Sequence, residues 1–202
     1  MKDPEMSVAP GRPRAFDIEI ALDQALRLFW EKGYEGTSLT DLTKAMGINR
    51  PSLYAAFGNK EELFRKALAR YAAGPASFFR KALEASTARA VVQQLLRGAA
   101  EAQCGSGNPR GCLAVQGALA CGDEAGVVRR ELIALRAASQ NALRERLVRA
   151  QAEGDLPKKA DPAKLARYVC TVMQGMSVQA TSGASCEELM SVVEMALKTW
   201  PE

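Results

Sequence analysis

The feature that most constrains this chain is a pair of short helical patterns separated by a single glycine, between Ser38 and Phe57. Leu39, Leu42, Ala45 and Met46 recur at helical spacing. Ser38 is placed to cap that helix, with Asp41 three residues on, and Gly47 stops it. Asn49 is a second cap. It opens a helix from Arg50 through Tyr54 to about Phe57, which tolerates Pro51 because that residue falls in the first turn. Two short helices joined by a glycine-containing turn make the helix-turn-helix pattern.

In that geometry the first helix crosses a phosphate backbone and the second sets its N-terminal residues against base edges in a major groove. Arg50, Ser52 and Ala55 are then the candidate readers: a guanidinium that reaches guanine O6 and N7, a hydroxyl that serves either sense, and a methyl for a thymine methyl. Tyr54, Thr37, Ser38, Lys44 and Lys60 suit phosphate oxygens, and Asn49 and Pro51 set the start of the reading helix.

The run KGYEGTSLTDLTKAMGINRPSLYAAFGNKEELFRKAL resembles the DNA-binding domain of tetracycline-repressor (TetR) family regulators. The likeness covers roughly the first third of the chain. It is carried by Gly33, Tyr34 and Thr37, by the helix ending at Gly47, by Leu53, Tyr54 and Phe57, and by Lys60 and Leu63. Ala55 and Ala56 replace the usual aromatic or histidine residues, and Pro51 replaces a small residue; both departures bear on sequence preference. The resemblance implies an all-α homodimer, a repressor that releases a near-palindromic operator when a small molecule enters its C-terminal domain.

Composition narrows the alternatives. The 202 residues are 48% hydrophobic, enough for a real core, and the net charge of +4 is only mildly basic. Up to residue 70 there are eleven Lys/Arg against ten Asp/Glu, so DNA binding requires the positive charge to be gathered on one face. The chain has no histidine, which removes the imidazole base of most hydrolases. Five cysteines without a C-x-x-C pair fit neither a disulfide framework nor a typical zinc site. No metal or cofactor is expected, and a small helical enzyme or ligand carrier is the remote alternative. With no apolar stretch near membrane-spanning length and no signal-peptide core, the expectation is cytoplasmic.

Residues 1–15 read as a flexible arm whose Arg12 and Arg14, held extended by Pro13, suit a minor groove. Residues 16–58 read as the DNA-binding domain, with Ile18, Ala21, Leu22, Ala25, Leu28 and Phe29 on a backing helix. A connecting helix occupies 59–83, and 84–202 is a helical effector and dimerisation domain. Its helices are expected at about 88–103, 109–121, 124–153, 162–181 and 186–200. The last two carry broad apolar stripes, from which Val169, Val172, Met173, Met176, Leu189, Val193, Ala196 and Trp200 are the candidate dimer residues. The same residues would equally close the chain's own core.

The small residues of 109–121 permit either close packing or room for a ligand. Phe78, Gln103, Cys112, Gln116, Gln140, Met173 and Gln174 are the candidate effector-pocket residues. Cys104, Cys112 and Cys121 fall around a glycine-rich loop. Either they are small buried apolar groups, or Cys112, paired with Cys104 or Cys121, senses oxidants or electrophiles.

Overall fold

The computed structural model describes residues 16–201 apart from 106, 120, 121, 123 and 124. Ten helices are described: α1 Ile18–Lys32, α2 Leu39–Met46, α3 Arg50–Phe57, α4 Lys60–Ala73, α5 Phe78–Leu83, α6 Ala88–Cys104, α7 Leu113–Gln116, α8 Gly126–Ala152, α9 Pro162–Thr181 and α10 Cys186–Lys198. The all-α class stands, with no strand among the described residues. Arg12, Arg14 and Cys121 lie outside the described residues.

Local chemistry sets the boundaries. Asp17 caps α1 through the amides of Glu19 and Ile20. Ser38 with Asp41, Asn59 with Glu62 and Ser185 with Glu188 form reciprocal capping boxes on α2, α4 and α10. Gly47 ends α2 at φ 66°, a left-handed conformation that costs glycine nothing.

Two apolar clusters hold the molecule. In the first, Phe29, Tyr34 and Phe64 meet edge-on or stacked, with Phe64 5.1 Å from Phe29 and 5.3 Å from Tyr34, around Leu42, Leu53, Phe57 and Leu63. This cluster continues through Leu113, Ala118, Ala125, Val128 and Leu132, so packing crosses the boundary expected near 84. In the second, α6 is surrounded by α5, α9 and α10, joined by Leu143, Leu147 and Ala150 from the far half of α8. The 27-residue α8 therefore belongs to both clusters.

Two expected helices are broken. The connecting helix stops at Gly74 and resumes as α5 after Pro75. The 109–121 segment is helical, among its described residues, over Leu113–Gln116 alone. Its small residues serve close packing: a Cβ on Gly117 would lie 3.1 Å from Leu132 and 3.3 Å from Phe64. Most of the candidate dimer stripe also turns inward. Val169, Met176, Leu189, Val193, Ala196 and Trp200 are all buried in the protomer's own second cluster, and Val172 and Met173 pack half-buried against it. The reason is that α9 and α10 both pack on α6, which takes their more apolar faces.

Candidate nucleic-acid interface

The reading helix α3 buries Leu53 and Phe57 and leaves Arg50, Pro51, Tyr54 and Ala55 exposed on one face, with Ser52 half-buried. The Asn49 side chain accepts from the Ser52 amide at 2.9 Å. Its amide oxygen is therefore committed to the cap, and the helix N-terminus is left facing solvent. Arg50 donates from Nη2 to the Thr40 hydroxyl at 3.1 Å, which holds the guanidinium across the α2–α3 corner. Thr40 has no place among the sequence candidates; the only signal for it is its exposed position on α2.

Ser38 is exposed and occupied in the α2 cap. It also donates from its hydroxyl to Asp41, and these hydrogen bonds hold the Asp41 carboxyl below the usual carboxylate range. Lys44 is exposed. The Lys60 ammonium lies 4.4 Å from the centre of the Tyr34 ring, an aromatic–cation contact that places it at the start of α4 beside the reading unit. Thr37 departs from expectation. It is fully buried, donating from its hydroxyl to the Gly33 carbonyl at 2.6 Å, and thus fastens the end of α1 rather than meeting a phosphate.

Behind this face, two side chains and one backbone amide tie the reading unit to the segment 110–117. Trp30 Nε1 donates to the Gly111 carbonyl at 2.9 Å, the Tyr34 amide donates to the Gly117 carbonyl at 2.8 Å, and the Tyr71 hydroxyl lies 3.3 Å from the Cys112 Sγ. Trp30 and Tyr71 meet edge to face at 4.7 Å. Burial, reinforced by the adjacent Cys112 sulfur, pushes the Tyr71 phenol up and keeps it protonated as a donor. From the other side Arg136 of α8 donates to the Ala114 carbonyl. On the exposed flank of α4, Arg65 pairs with Glu131 of α8, and Arg70 pairs with Asp23 and Glu19 of α1.

The expected effector residues divide. Gln103, Cys112 and Gln116 converge on Gly111, with the Gln103 Oε1 accepting from the Gly111 amide at 2.6 Å and the Gln116 side chain folded over the Gly111 Cα. Phe78 instead lies against Gly98 of α6, Met173 packs against the second cluster, and Gln140 and Gln174 are half-buried on α8 and α9. None of the seven lines either of two open clefts. One, of about 680 Å³, lies between α1 and α4; the other, of about 490 Å³, lies at the α9–α10 turn.

Cysteine pairing is also corrected. Cys104 is disulfide-bonded to Cys186 at the start of α10, 82 residues away, with Cα atoms 5.4 Å apart. Cys112 is a free thiol. Cys112 precedes the four-residue α7 as its N-cap instead of lying in the first turn of a long helix. Cys186 was not legible as a partner, because a pairing between helices leaves no local spacing. Cys170 is buried, and burial pushes its thiol up to about 11.

Residues 21–67 match the family model of bacterial regulatory proteins of the tetR family, and residues 89–182 match a tetracyclin repressor-like C-terminal domain. The chain is 36% identical over 194 residues to the HTH-type transcriptional repressor ComR of Escherichia coli, covering 95% of this chain and 92% of that protein. It belongs to the TetR family. The HTH-type transcriptional repressor BdcR of the same organism is 31% identical over 193 residues, covering 95% and 93%. Among solved structures, a cysteine mutant of the TetR family transcriptional regulator CifR, complexed with 26-base-pair operator DNA, is 47% identical. It superposes with a TM-score of 0.91 over 95% of this chain and all of that one. A putative TetR regulator from Rhodococcus is 43% identical, with a TM-score of 0.63 over 91% and 99%. This chain is accordingly a DNA-binding transcriptional regulator of repressor type and not an enzyme. None of the described helices is long and apolar enough to cross a membrane.

Proposed function

We propose that this repressor holds a near-palindromic operator as a twofold dimer and releases it when Cys112 is modified by an oxidant or electrophile. The contact between the Tyr71 hydroxyl and the Cys112 sulfur carries the reading, because it joins a free thiol to α4, the helix whose start lies beside the DNA face. Addition of the thiol to an activated alkene forms an S–C bond and breaks the C=C π bond, and the thiol proton ends on the adjacent carbon. The adduct occupies the space of the Tyr71 contact. It thereby displaces α4 and, through Gly111 and Trp30, α1. Three cysteines are substituted in the operator-bound CifR mutant, spaced eight and then seventy-four residues apart, the separations of Cys104, Cys112 and Cys186 here.

The dimer face we assign to the outward sides of α9 and α10. Tyr168, Val178, Val192 and Met195 are exposed there, and Gly175 stands between Tyr168 and Val178 with no atom near its Cα side. Twofold pairing sets two reading helices about 34–36 Å apart, as successive major grooves require. A reversible small molecule is the second reading, favoured by the cleft between α1 and α4, which reaches Trp30, Arg70 and Asn108.

The test is fluorescence anisotropy with DNA from upstream of the protein's own gene, before and after N-ethylmaleimide. Salt-sensitive binding that is lost on alkylation and retained in Cys112→Ser is the expected result. Binding that survives full alkylation of Cys112 overturns the cysteine trigger.

A further inference from the structure

The loop between Cys104 and Cys112 is fastened at both ends to the junction of α9 and α10. At its start, Cys104 is bonded to Cys186, the first residue of α10. Near its end, Arg110 donates from Nη1 to the carbonyl of Ala184, two residues before Cys186, at 3.1 Å. Between these ties the Gln103 side chain, one residue before the disulfide, accepts from the amide of Gly111, one residue before the free thiol. The disulfide therefore closes a frame around the backbone that presents Cys112. Among the described residues of the loop, Gly105 and Gly107 are exposed, and a Cβ on either would meet nothing within 4 Å.

We infer that the redox state of the Cys104–Cys186 pair gates the reactivity of Cys112, so that the repressor has two coupled thiol inputs instead of one. This rests on the reading of Cys112 as the trigger. In the oxidised state α6, the loop and the α9–α10 turn are one cross-linked frame, and the Cys112 sulfur stays half-buried against Tyr71. A reagent reaches it only through local opening, and closing the frame covalently makes that opening rarer. In the reduced state the described ties are non-covalent, the Arg110, Gln103 and Trp30 hydrogen bonds and the Tyr71 contact, and each is worth far less than a covalent tie.

The chemistry balances with a peroxide as oxidant. The two thiols give up two protons and two electrons, the S–S bond forms, the O–O bond breaks, and the peroxide leaves as water and an alcohol. A dithiol reverses the step by exchange, becoming a disulfide itself. Oxidised pair, shielded sensor and reduced pair, open sensor are then the two settings.

The experiment measures the rate of N-ethylmaleimide adduct formation at Cys112, resolved by peptide mass spectrometry, on the full folded chain. Protein with the Cys104–Cys186 bond intact and the Cys112 thiol verified unmodified by intact mass is compared with protein reduced by dithiothreitol and then freed of it. Reduction should accelerate Cys112 labelling about tenfold, the scale of a modest change in local opening. Cys104→Ser/Cys186→Ser should label at the reduced rate under both treatments. Equal rates in the two forms of the wild type, or faster labelling of the oxidised form, overturn the inference. The wild-type comparison stands alone if the double variant fails to fold. Operator release upon alkylation is read separately by anisotropy. Its absence would sink the trigger reading, whereas redox-independent labelling sinks only the gate.

Discussion

The indole nitrogen of Trp30 donates to the carbonyl of Gly111 across 81 residues of sequence, from the first helix of the reading unit to the segment that presents the free thiol. Both partners are buried, so losing the bond leaves a carbonyl unsatisfied. Trp30→Phe keeps most of the ring packing against Tyr71 and should cost about 1–3 kcal/mol of unfolding free energy in urea titrations. The same variant should bind operator yet respond less to alkylation, since one of the three ties between the thiol segment and the DNA-binding helices is gone.

Arg50 and Thr40 form a hydrogen-bonded pair on the exposed DNA face. Arg50→Ala should weaken specific operator binding by about 1–3 kcal/mol and relax discrimination at the base pair it meets. Thr40→Ala removes only the brace on the guanidinium and should produce a smaller loss. Anisotropy titrations against operator variants at fixed salt distinguish these effects.

Gly117 has a backbone conformation open to any residue, yet its Cα faces Leu132 and Phe64. Adding one methyl there overpacks the first cluster. Gly117→Ala should destabilise by about 1–3 kcal/mol, where a helix-propensity argument alone predicts a gain. Thermal melts followed by circular dichroism give the sign directly.

Met195 is 64% exposed on the outward side of α10. If the proposed twofold pairing holds, Met195→Glu should leave the fold intact and give a monomer in analytical ultracentrifugation, with operator affinity falling because each half-site is then bound alone. A dimer that survives Met195→Glu and Val178→Glu together refutes the assigned face.

The capping carboxylates set an acid limit. Hydrogen bonds from the Ser185 amide and hydroxyl hold the Glu188 carboxyl below its ordinary value, and those from the Lys164 and Ala163 amides do the same for Asp161. A depressed folded-state pKa means the contribution is present above the unfolded value of about 4 and is lost as pH falls through the folded one. Helicity of α9 and α10 should therefore fray below about pH 4, and Glu188→Gln should flatten that part of the acid transition measured by circular dichroism.

Much of the reading unit was legible because its signals are local. Ser38 with Asp41, Asn49 with Pro51, and Asn59 with Glu62 each mark a helix start within four residues, and the structure places every one where its chemistry requires. Thr37 was misassigned because a hydroxyl beside a helix start carries the same signature whether it points outward or, as here, back to the Gly33 carbonyl. The apolar stripes of α9 and α10 gave no means of separating inward from outward faces, because both sides carry large side chains. Only packing on α6 decides that Val193 is core and Val192 surface. The pairings of Cys186 and Arg110 were not legible for the complementary reason: their partners are distant in sequence, and no local pattern encodes a distance of 74 residues or more.

The long helix α8 also acts as an angular reference. Its early turns are seated in one apolar cluster and its late turns in the other, with exposed Ala134, Ala137, Ala138 and Asn141 between them. Each helical residue advances the azimuth by about 100° and the axis by about 1.5 Å. One amino acid inserted between Leu132 and Leu143 would swing the second cluster about a quarter-turn around the first, whereas seven, close to two whole turns, would nearly restore the phase. In the proposed dimer, the orientation in which two reading heads share one stretch of duplex is thus written in the number of residues between Leu132 and Leu143.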